Sequence, residues 1–287
     1  MRIGIHTSTA GGLENAANEA VALAANTFQI FSSSPRTWRY PPLRPANIRA
    51  LRQRREQHDL TPLVIHNNYL INLAAADAAI RERSTQAYRQ EVVRALEIGA
   101  EYLVAHPGSA KHQPREAAIE NFGRSLATAL AGLKPGRLTL LLENTAGQGD
   151  ALGSRFEELA ALAELAAAVS DFPIGFCIDT CHCLAAGYDV ASEAGLSETI
   201  AALDELLGLD RVQVIHANDS RGGLGSRVDR HAHIGQGAIG EEGFRRILRH
   251  SAFRDKPFIL ETPVESEGDP QRNLDALRRL ALVAADG

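Results

Sequence analysis

The sequence predicts a parallel (β/α)8 barrel, and three observations carry that prediction. Short runs rich in Val, Ile, Leu and Phe alternate with amphipathic helical stretches, eight such units fit within the chain, and the last six of the eight runs all stop at a His, Asp or Glu. Strands buried on both faces of a parallel sheet must be apolar almost throughout. Abrupt polar endings belong where the strands open onto a rim, and in a barrel the C-terminal rim is where active sites are built.

Taken in order, RIGIH ends at His6 and is followed by a helical stretch from Leu13 to Ala24; NTFQIF ends at Phe31. PLVIH ends at His66 before a helix from Asp77 to Ile98, and YLVAH ends at His106 before a helix from Arg115 to Leu130. LTLLLE ends at Glu143 and precedes a helix from Arg155 to Val169. IGFCID ends at Asp179 and precedes a helix from Ser197 to Leu207. VQVIH ends at His216, with a helix from Glu241 to Leu248, and PFILE ends at Glu261, with a final helix from Leu274 to Val283. Apolar residues recur at three and four in the helices, as in Leu126, Leu130 and Leu133, while the strands are short and β-branched. The 287 residues match one barrel, and no linker or composition break marks a second domain, so a single domain over 1–287 is expected.

Composition narrows the class. The chain is 45% hydrophobic and 23% charged, a globular profile without disordered tracts. No apolar run is long enough to cross a bilayer, and MRIGIHTSTAGG lacks the basic and apolar regions of a signal peptide, so a cytoplasmic protein with no membrane partner is expected. Cys177, Cys181 and Cys183 are an odd, clustered set that does not fit a secreted disulfide framework. The net charge of −5 weighs against a nucleic-acid partner, although bound metal ions are outside that count. The basic residues are nearly all Arg, with Lys only at positions 111, 134 and 256, and Arg is the better bidentate partner for phosphate. Two long loops, Ser32 to Pro45 and Ala217 to Gly240, are rich in Gly, Pro and Ser and are expected to be irregular.

A lone histidine at a strand end is more often a hydrogen-bonded core residue than a ligand. Convergence changes that. His66, His106, Glu143, Asp179, His216 and Glu261 come from six strands of one closed barrel and must face one another across its mouth. Carboxylates and imidazoles so gathered, without metal, would repel or remain unpaired at high cost. His182 follows Asp179 by three residues, which a turn opening a helix places on the same side. Asp229 and His231 are two apart, so extended backbone puts both on one face as a clip; His233 shares that face, and spacing alone does not separate it from His231. Mixed imidazole and carboxylate ligation favours zinc, with manganese or iron as substitutes. A metalloenzyme is therefore expected. Cys181 and Cys183 lack a second Cys pair and read as buried bystanders. The GxGxxG match at residues 235–240 follows no strand of an early βαβ unit and reads as a loop-to-helix turn.

The segments GIHTSTAGGL, HNNYLINLA, HPGS, ENTAGQG, IDTCHCLAAGYD, HANDS, GSRVDRHAHIG and ILET, in this order, resemble the motif set of the endonuclease IV family of abasic-site endonucleases. The resemblance implies a TIM barrel with three zinc ions at its top. His66 and His106 resemble the ligands of the first ion, with Glu143 bridging to the second. Asp179, His216 and Glu261 resemble the second ion's remaining ligands, and His182, Asp229 and His231 those of the third. It is the resemblance alone that prefers His231 to His233. The implied reaction is hydrolysis of the phosphodiester 5′ to an abasic site in duplex DNA, leaving a 3′-hydroxyl and a 5′-deoxyribose phosphate. Glu261 and Glu143 are expected to orient or deprotonate the attacking water. Four ligand carboxylates against three divalent ions leave the site about two charges positive, able to attract phosphate in an acidic chain. By resemblance Arg36 and Tyr69 occupy wedge positions that fill the gap of a missing base. The resemblance also leans towards a monomer.

Ala217 and Gln236 depart from the family pattern, where a larger apolar residue and often a Glu are expected; neither is a ligand position. Two rivals remain. A sugar isomerase or epimerase on the same barrel also holds divalent metal, but it would need neither a third clip nor a wedge loop and would commonly place a Lys in the pocket, for which Lys111 is the one candidate near a strand end. A non-catalytic lesion binder would keep its metals closed and structural.

Overall fold

The structure, a computed structural model, describes residues 1–282; the last position of the expected final helix, Val283, and the end of the expected domain lie outside the described residues. Eight parallel strands close a barrel: β1 (Arg2–His6), β2 (Thr27–Phe31), β3 (Leu63–His66), β4 (Tyr102–Ala105), β5 (Thr139–Glu143), β6 (Ile174–Asp179), β7 (Val212–His216) and β10 (Pro257–Leu260). The expected fold class is what the chain adopts. Each strand lies beside its sequence neighbours, and β10 closes the ring between β7 and β1.

Side-chain alternation in these strands sorts two layers. Outward residues such as Leu63, Ile65, Leu140, Leu142, Phe176 and Ile178 pack beneath the helices in one continuous core. Inward residues Val64, Val104, Leu141, Cys177, Val214 and Ile259 form a separate small cluster that plugs the barrel axis. Two residues beyond each of these six, on the same inward register, stand His66, His106, Glu143, Asp179, His216 and Glu261. The strand period alone therefore lifts the six polar groups to one height above the plug. His106 and Glu261 lie one residue past their strands, β4 and β10.

Nine helices surround the strands among the described residues: α1 (Leu13–Ala22), α2 (Pro45–Gln57), α3 (Ala78–Ile98), α4 (Arg115–Leu130), α5 (Phe156–Ala168), α6 (Thr180–Ala186), α7 (Glu193–Leu207), α8 (Gly240–Arg249) and α9 (Asp269–Ala281). α2 carries no sequence signal of the kind used above, because PANIRALRQRREQ buries only Leu51 completely; proline in its first turn starts it and the core holds it. α7 begins earlier than its apolar pattern, at the Ser192 cap, whose hydroxyl accepts from Gly195 N at 3.1 Å. α9 also begins earlier, with a proline in its first turn.

The loop from Ala217 to Gly240 is more regular than its composition predicts. β8 (Asp219–Ser220) pairs antiparallel with β9 (His231–Ala232), so the loop is a ribbon with a fixed base. The fixing group is Asp219. Its fully buried carboxylate accepts from the backbone N–H of Ser220, Gly235, Gly237, Ile239 and Gly240. The GxGxxG segment thus cradles an internal anion and opens α8, as a loop-to-helix turn should. A Cβ on Gly237 would lie 2.4 Å from an Asp219 oxygen, which explains the glycine there. Asp219→Ala strips a partner from several buried amides at once; denaturant unfolding of the metal-free protein is expected to show a loss of about 3 kcal/mol, and a change within experimental scatter would refute the anchoring role.

Candidate metal centre

At the mouth of the barrel the nine predicted ligands fall into three groups, within each of which the donor atoms lie within 4.8 Å of one another. They are His66, His106 and Glu143; Glu143, Asp179, His216 and Glu261; and His182, Asp229 and His231. Glu143 belongs to two groups, its Oε2 facing His66 Nε2 at 3.0 Å and its Oε1 facing His216 Nδ1 at 2.9 Å. His182 lies on α6, where Asp179 caps the helix by accepting from His182 N at 2.8 Å. Asp229, partly exposed, sits on the ribbon just before β9, and its Oδ1 is 3.2 Å from His182 Nε2 and 3.7 Å from His231 Nε2. His233 points away from these groups, towards Asn273 at 3.0 Å and Glu265.

Four of the imidazoles are fixed from behind. His66 Nδ1 is 3.0 Å from Asn67 O, His182 Nδ1 is 2.9 Å from Asn144 O, and His231 Nδ1 is 2.9 Å from Glu261 O. His216 Nε2 is 2.8 Å from the Gln29 side-chain oxygen. Carbonyl oxygens only accept, so each of these nitrogens carries a proton and the opposite nitrogen turns to the carboxylates. His106 Nδ1, His182 Nε2 and His231 Nε2 are buried with no hydrogen-bond partner. Orphaned imidazole nitrogens among carboxylates are costly unless something cationic fills the gap, so this donor set fits divalent metal.

The electrostatics agree. Burial works to raise the Glu261 carboxyl, but His216 and His66 outweigh it and bring the group down to about 2. Burial likewise opposes the shift at Asp229, which the neighbouring imidazoles of His182, His231 and His106 carry down to about 2. Glu143 is also held well below the usual carboxylate range, against burial, by His106 and His216. Burial lowers His182, yet Asp179, Asp229 and Glu143 prevail and lift it to about 10. His66 rises against the same burial through Glu143 and Glu261, and His216 through Cys177, Glu261 and Glu143. Cys177 and Cys181 also come within ligating reach, but burial pushes both thiols up to about 12. At neutral pH the cluster therefore presents oxygen and nitrogen donors.

Several contributors escaped the sequence reading. His6 ends β1 and obeys the strand-end pattern; it lies 4.0 Å from Glu261, and burial holds its imidazole down at about 4. Gln29 is a fully buried amide between Phe28 and Ile30, a polar interruption of an apolar strand that could have been noticed. Asn144 accepts from Asp179 N at 2.7 Å, and Asn218 donates to Asp179 Oδ2 at 2.6 Å while accepting from Glu261 N at 2.8 Å. Arg36 and Tyr69 stand exposed on the rim. Tyr69 is 65% exposed, packs edge-on to Phe31 at 5.1 Å, and lines with Trp38 and His106 a cleft of about 930 Å³. The loop bearing Arg36 is clamped by buried groups: Asn68 donates to Thr37 O at 2.7 Å, Arg94 to Pro41 O at 2.6 Å, and Glu91 accepts from Ser32 Oγ at 2.6 Å. Lys111 also lines the Tyr69 cleft but belongs to none of the three groups.

Barrel and rim together define a class, and the chain belongs to the xylose isomerase-like TIM barrel family, whose description matches residues 17–281. Within that class the chain belongs to the endonuclease IV family. It is 56% identical over 281 residues to a probable endonuclease 4 of Solibacter usitatus, covering 98% of this chain and 97% of that one. It is 46% identical over 280 residues to endonuclease 4 of one Thermus thermophilus strain, covering 96% and 97%. The crystal structure of endonuclease IV from a second strain of Thermus thermophilus superposes with a TM-score of 0.86 at 44% identity, covering 98% of each chain. A D-tagatose 3-epimerase-like protein, at 18% identity and a TM-score of 0.71, covering 98% of this chain and 97% of that one, shares the fold alone.

The shifts set a pH dependence. A His182 raised to about 10 contributes stability to the metal-free fold that is fully present below its unfolded value near 6.5 and is lost as pH rises through about 10. Glu261 and Asp229 do the reverse: their contribution is present above the ordinary carboxylate range and is lost as pH falls through about 2. Because a ligating imidazole must shed its proton, zinc added to metal-free protein at pH 7 is expected to release at least one proton per chain. Calorimetry in buffers of differing ionisation enthalpy measures it, and proton-neutral binding would contradict the assignment of His182.

Proposed function

We propose that this endonuclease IV family member hydrolyses the phosphodiester 5′ to an abasic site in double-stranded DNA, using three divalent ions, zinc foremost with manganese as a substitute, and leaves a 3′-hydroxyl and a 5′-deoxyribose phosphate. The chain is a metal-dependent DNA-repair endonuclease by its family. We further propose that it works in the cytoplasm as a monomer, with residues 1–287 forming one domain. All three cysteines are free and buried, and no helix among the described residues is long and apolar enough to cross a membrane.

The observation that carries the reading is the shared carboxylate. Glu143, without exposure to solvent, links a His66–His106 group to an Asp179–His216–Glu261 group, beside a third group at His182, Asp229 and His231. His66, His106 and Glu143 would hold one ion, Glu143, Asp179, His216 and Glu261 a second, and His182, Asp229 and His231 a third. Bound there, divalent ions supply Lewis acidity for phosphate ester hydrolysis, lowering the pKa of water and offsetting charge on the scissile group. The chain's own part is orientation. Glu261, held ionised far below neutral pH, accepts hydrogen bonds from the attacking water and aligns it, and Glu143 fixes the imidazoles on either side. Tyr69 and Arg36 project from the rim where a duplex would lie, one an aromatic face and the other a guanidinium, suited to enter a stack with a missing base.

The primary test is cleavage of an end-labelled duplex containing one tetrahydrofuran abasic analogue, which cannot undergo β-elimination. Metal-loaded protein should nick it on the 5′ side and leave a 3′-hydroxyl, and metal-stripped protein should not. Binding without cutting would favour a lesion binder. Glu261→Gln should lower cleavage at least about 100-fold while leaving affinity for the duplex nearly unchanged; undiminished cleavage would remove Glu261 from the reaction. Tyr69→Ala should weaken binding to abasic duplex about 10-fold, the scale of one lost base–aromatic stack, with little effect on intact duplex. Equal weakening on both duplexes in a titration would deny Tyr69 a role in sensing the lesion.

A further inference from the structure

We propose that Gln29 is a positioning residue for the metal centre, setting which ring nitrogen His216 presents to a divalent ion and holding the Glu261 carboxylate beside it. The inference rests on the metal-centre reading above. Three of the four imidazoles fixed from behind are held by backbone carbonyls of Asn67, Asn144 and Glu261. His216 alone depends on a side chain, reaching from β7 to Gln29 on β2.

The amide has one consistent orientation. Glu261 Oε1 lies 2.5 Å from the Gln29 nitrogen, and a carboxylate only accepts, so that nitrogen is the NH2 group. Its second hydrogen points to His6 Nδ1 at 3.1 Å. The amide oxygen is then left for His216 Nε2 at 2.8 Å, which places the His216 proton on Nε2 and frees Nδ1 to face Glu143 Oε1 at 2.9 Å and Glu261 Oε2 at 3.4 Å. Gln29 has no solvent exposure and sits on the inward register, level with Val64 of the plug. Filling space there needs only an apolar side chain, because burying an amide is unfavourable unless its groups are paired. Here every group is paired, two of them with the predicted ligands Glu261 and His216 and the third with His6. Glu261 in turn fixes His231 through its backbone oxygen, so Gln29 connects the second group to the third.

The test is zinc stoichiometry and affinity, measured by competition with a chromogenic chelator, on the full chain and on Gln29→Met, Gln29→Glu and His216→Ala. Gln29→Met keeps the shape and removes the polar pair, and it should weaken one of the zinc ions about 10- to 100-fold, the usual effect of losing a group that orients a ligand. Gln29→Glu keeps an acceptor for His216 but replaces the donor to Glu261 with a second carboxylate, so it should weaken the same zinc ion no less than Gln29→Met does. Gln29→Met with zinc affinities unchanged, while His216→Ala loses an ion, would overturn the role of Gln29 and leave the metal centre standing. Unchanged affinities in both would overturn the metal-centre reading itself. Zinc affinity unchanged in Gln29→Glu would overturn the hold on Glu261 assigned to the amide nitrogen. Nitrogen-15 NMR of the zinc-loaded unsubstituted protein reads the same point without a variant: His216 should carry its proton on Nε2, and a proton on Nδ1 would refute the proposal.

Discussion

The structure turns on the neutralisation of buried carboxylates at the mouth of the barrel. Glu143 and Asp179 have no solvent exposure, Glu261 little, and no Lys or Arg forms an ion pair with any of them among the described residues. Such charges are several kcal/mol unfavourable unless a cation or a set of hydrogen bonds meets them. Imidazoles meet them here, from five elements at once, and the imidazoles gain from the carboxylates in return. Three ring nitrogens remain without partners even so. The residual demand is for positive charge in compact form, which divalent ions satisfy and long basic side chains, needing their own volume, do not.

Around that demand the surroundings are organised for rigidity. Backbone carbonyls and one buried amide set the imidazole faces, Asn144 and Asn218 tie Asp179 to the neighbouring strands, and the ribbon that brings Asp229 to His182 is held at its base by the Asp219 carboxylate. The loop carrying Arg36 is anchored through Arg94, Glu91 and Asn68 rather than through contacts of its own tip. Its tip remains exposed at Arg36, while its bases are fixed. The same division holds for Tyr69, whose ring edge rests on Phe31 and whose bulk stands free.

An acidic chain that acts on DNA needs its attraction for phosphate concentrated in one place. The net charge of −5 gives no general affinity for a polyanion, so the metal centre and the arginines of the rim must supply it locally. The relation to barrels named as epimerases is instructive in the same way. They share the scaffold at low identity, so the fold by itself does not choose an activity, and the donor groups and exposed side chains of this chain's own rim must carry that argument.

Much of this was legible in the residues. Alternating apolar strands with polar ends determined a parallel barrel and marked six inward groups at one height, because strand period is a local property of the chain. The pairing of Asp229 with His231 and of Asp179 with His182 was legible for the same reason, through short spacing. The family was legible in long irregular motifs. Spacing left open whether His233 turns away and whether Glu143 is shared, which the resemblance alone implied; only the tertiary structure decided that the Gly-rich loop folds into a ribbon around Asp219 and that Gln29 and His6 come to lie beside Glu261. Each of these depends on residues far apart in sequence, such as Gln29 and His216 or Asp219 and Gly237, meeting across a closed barrel. Local patterns of hydrophobicity carry no record of which distant partner a buried polar group will find.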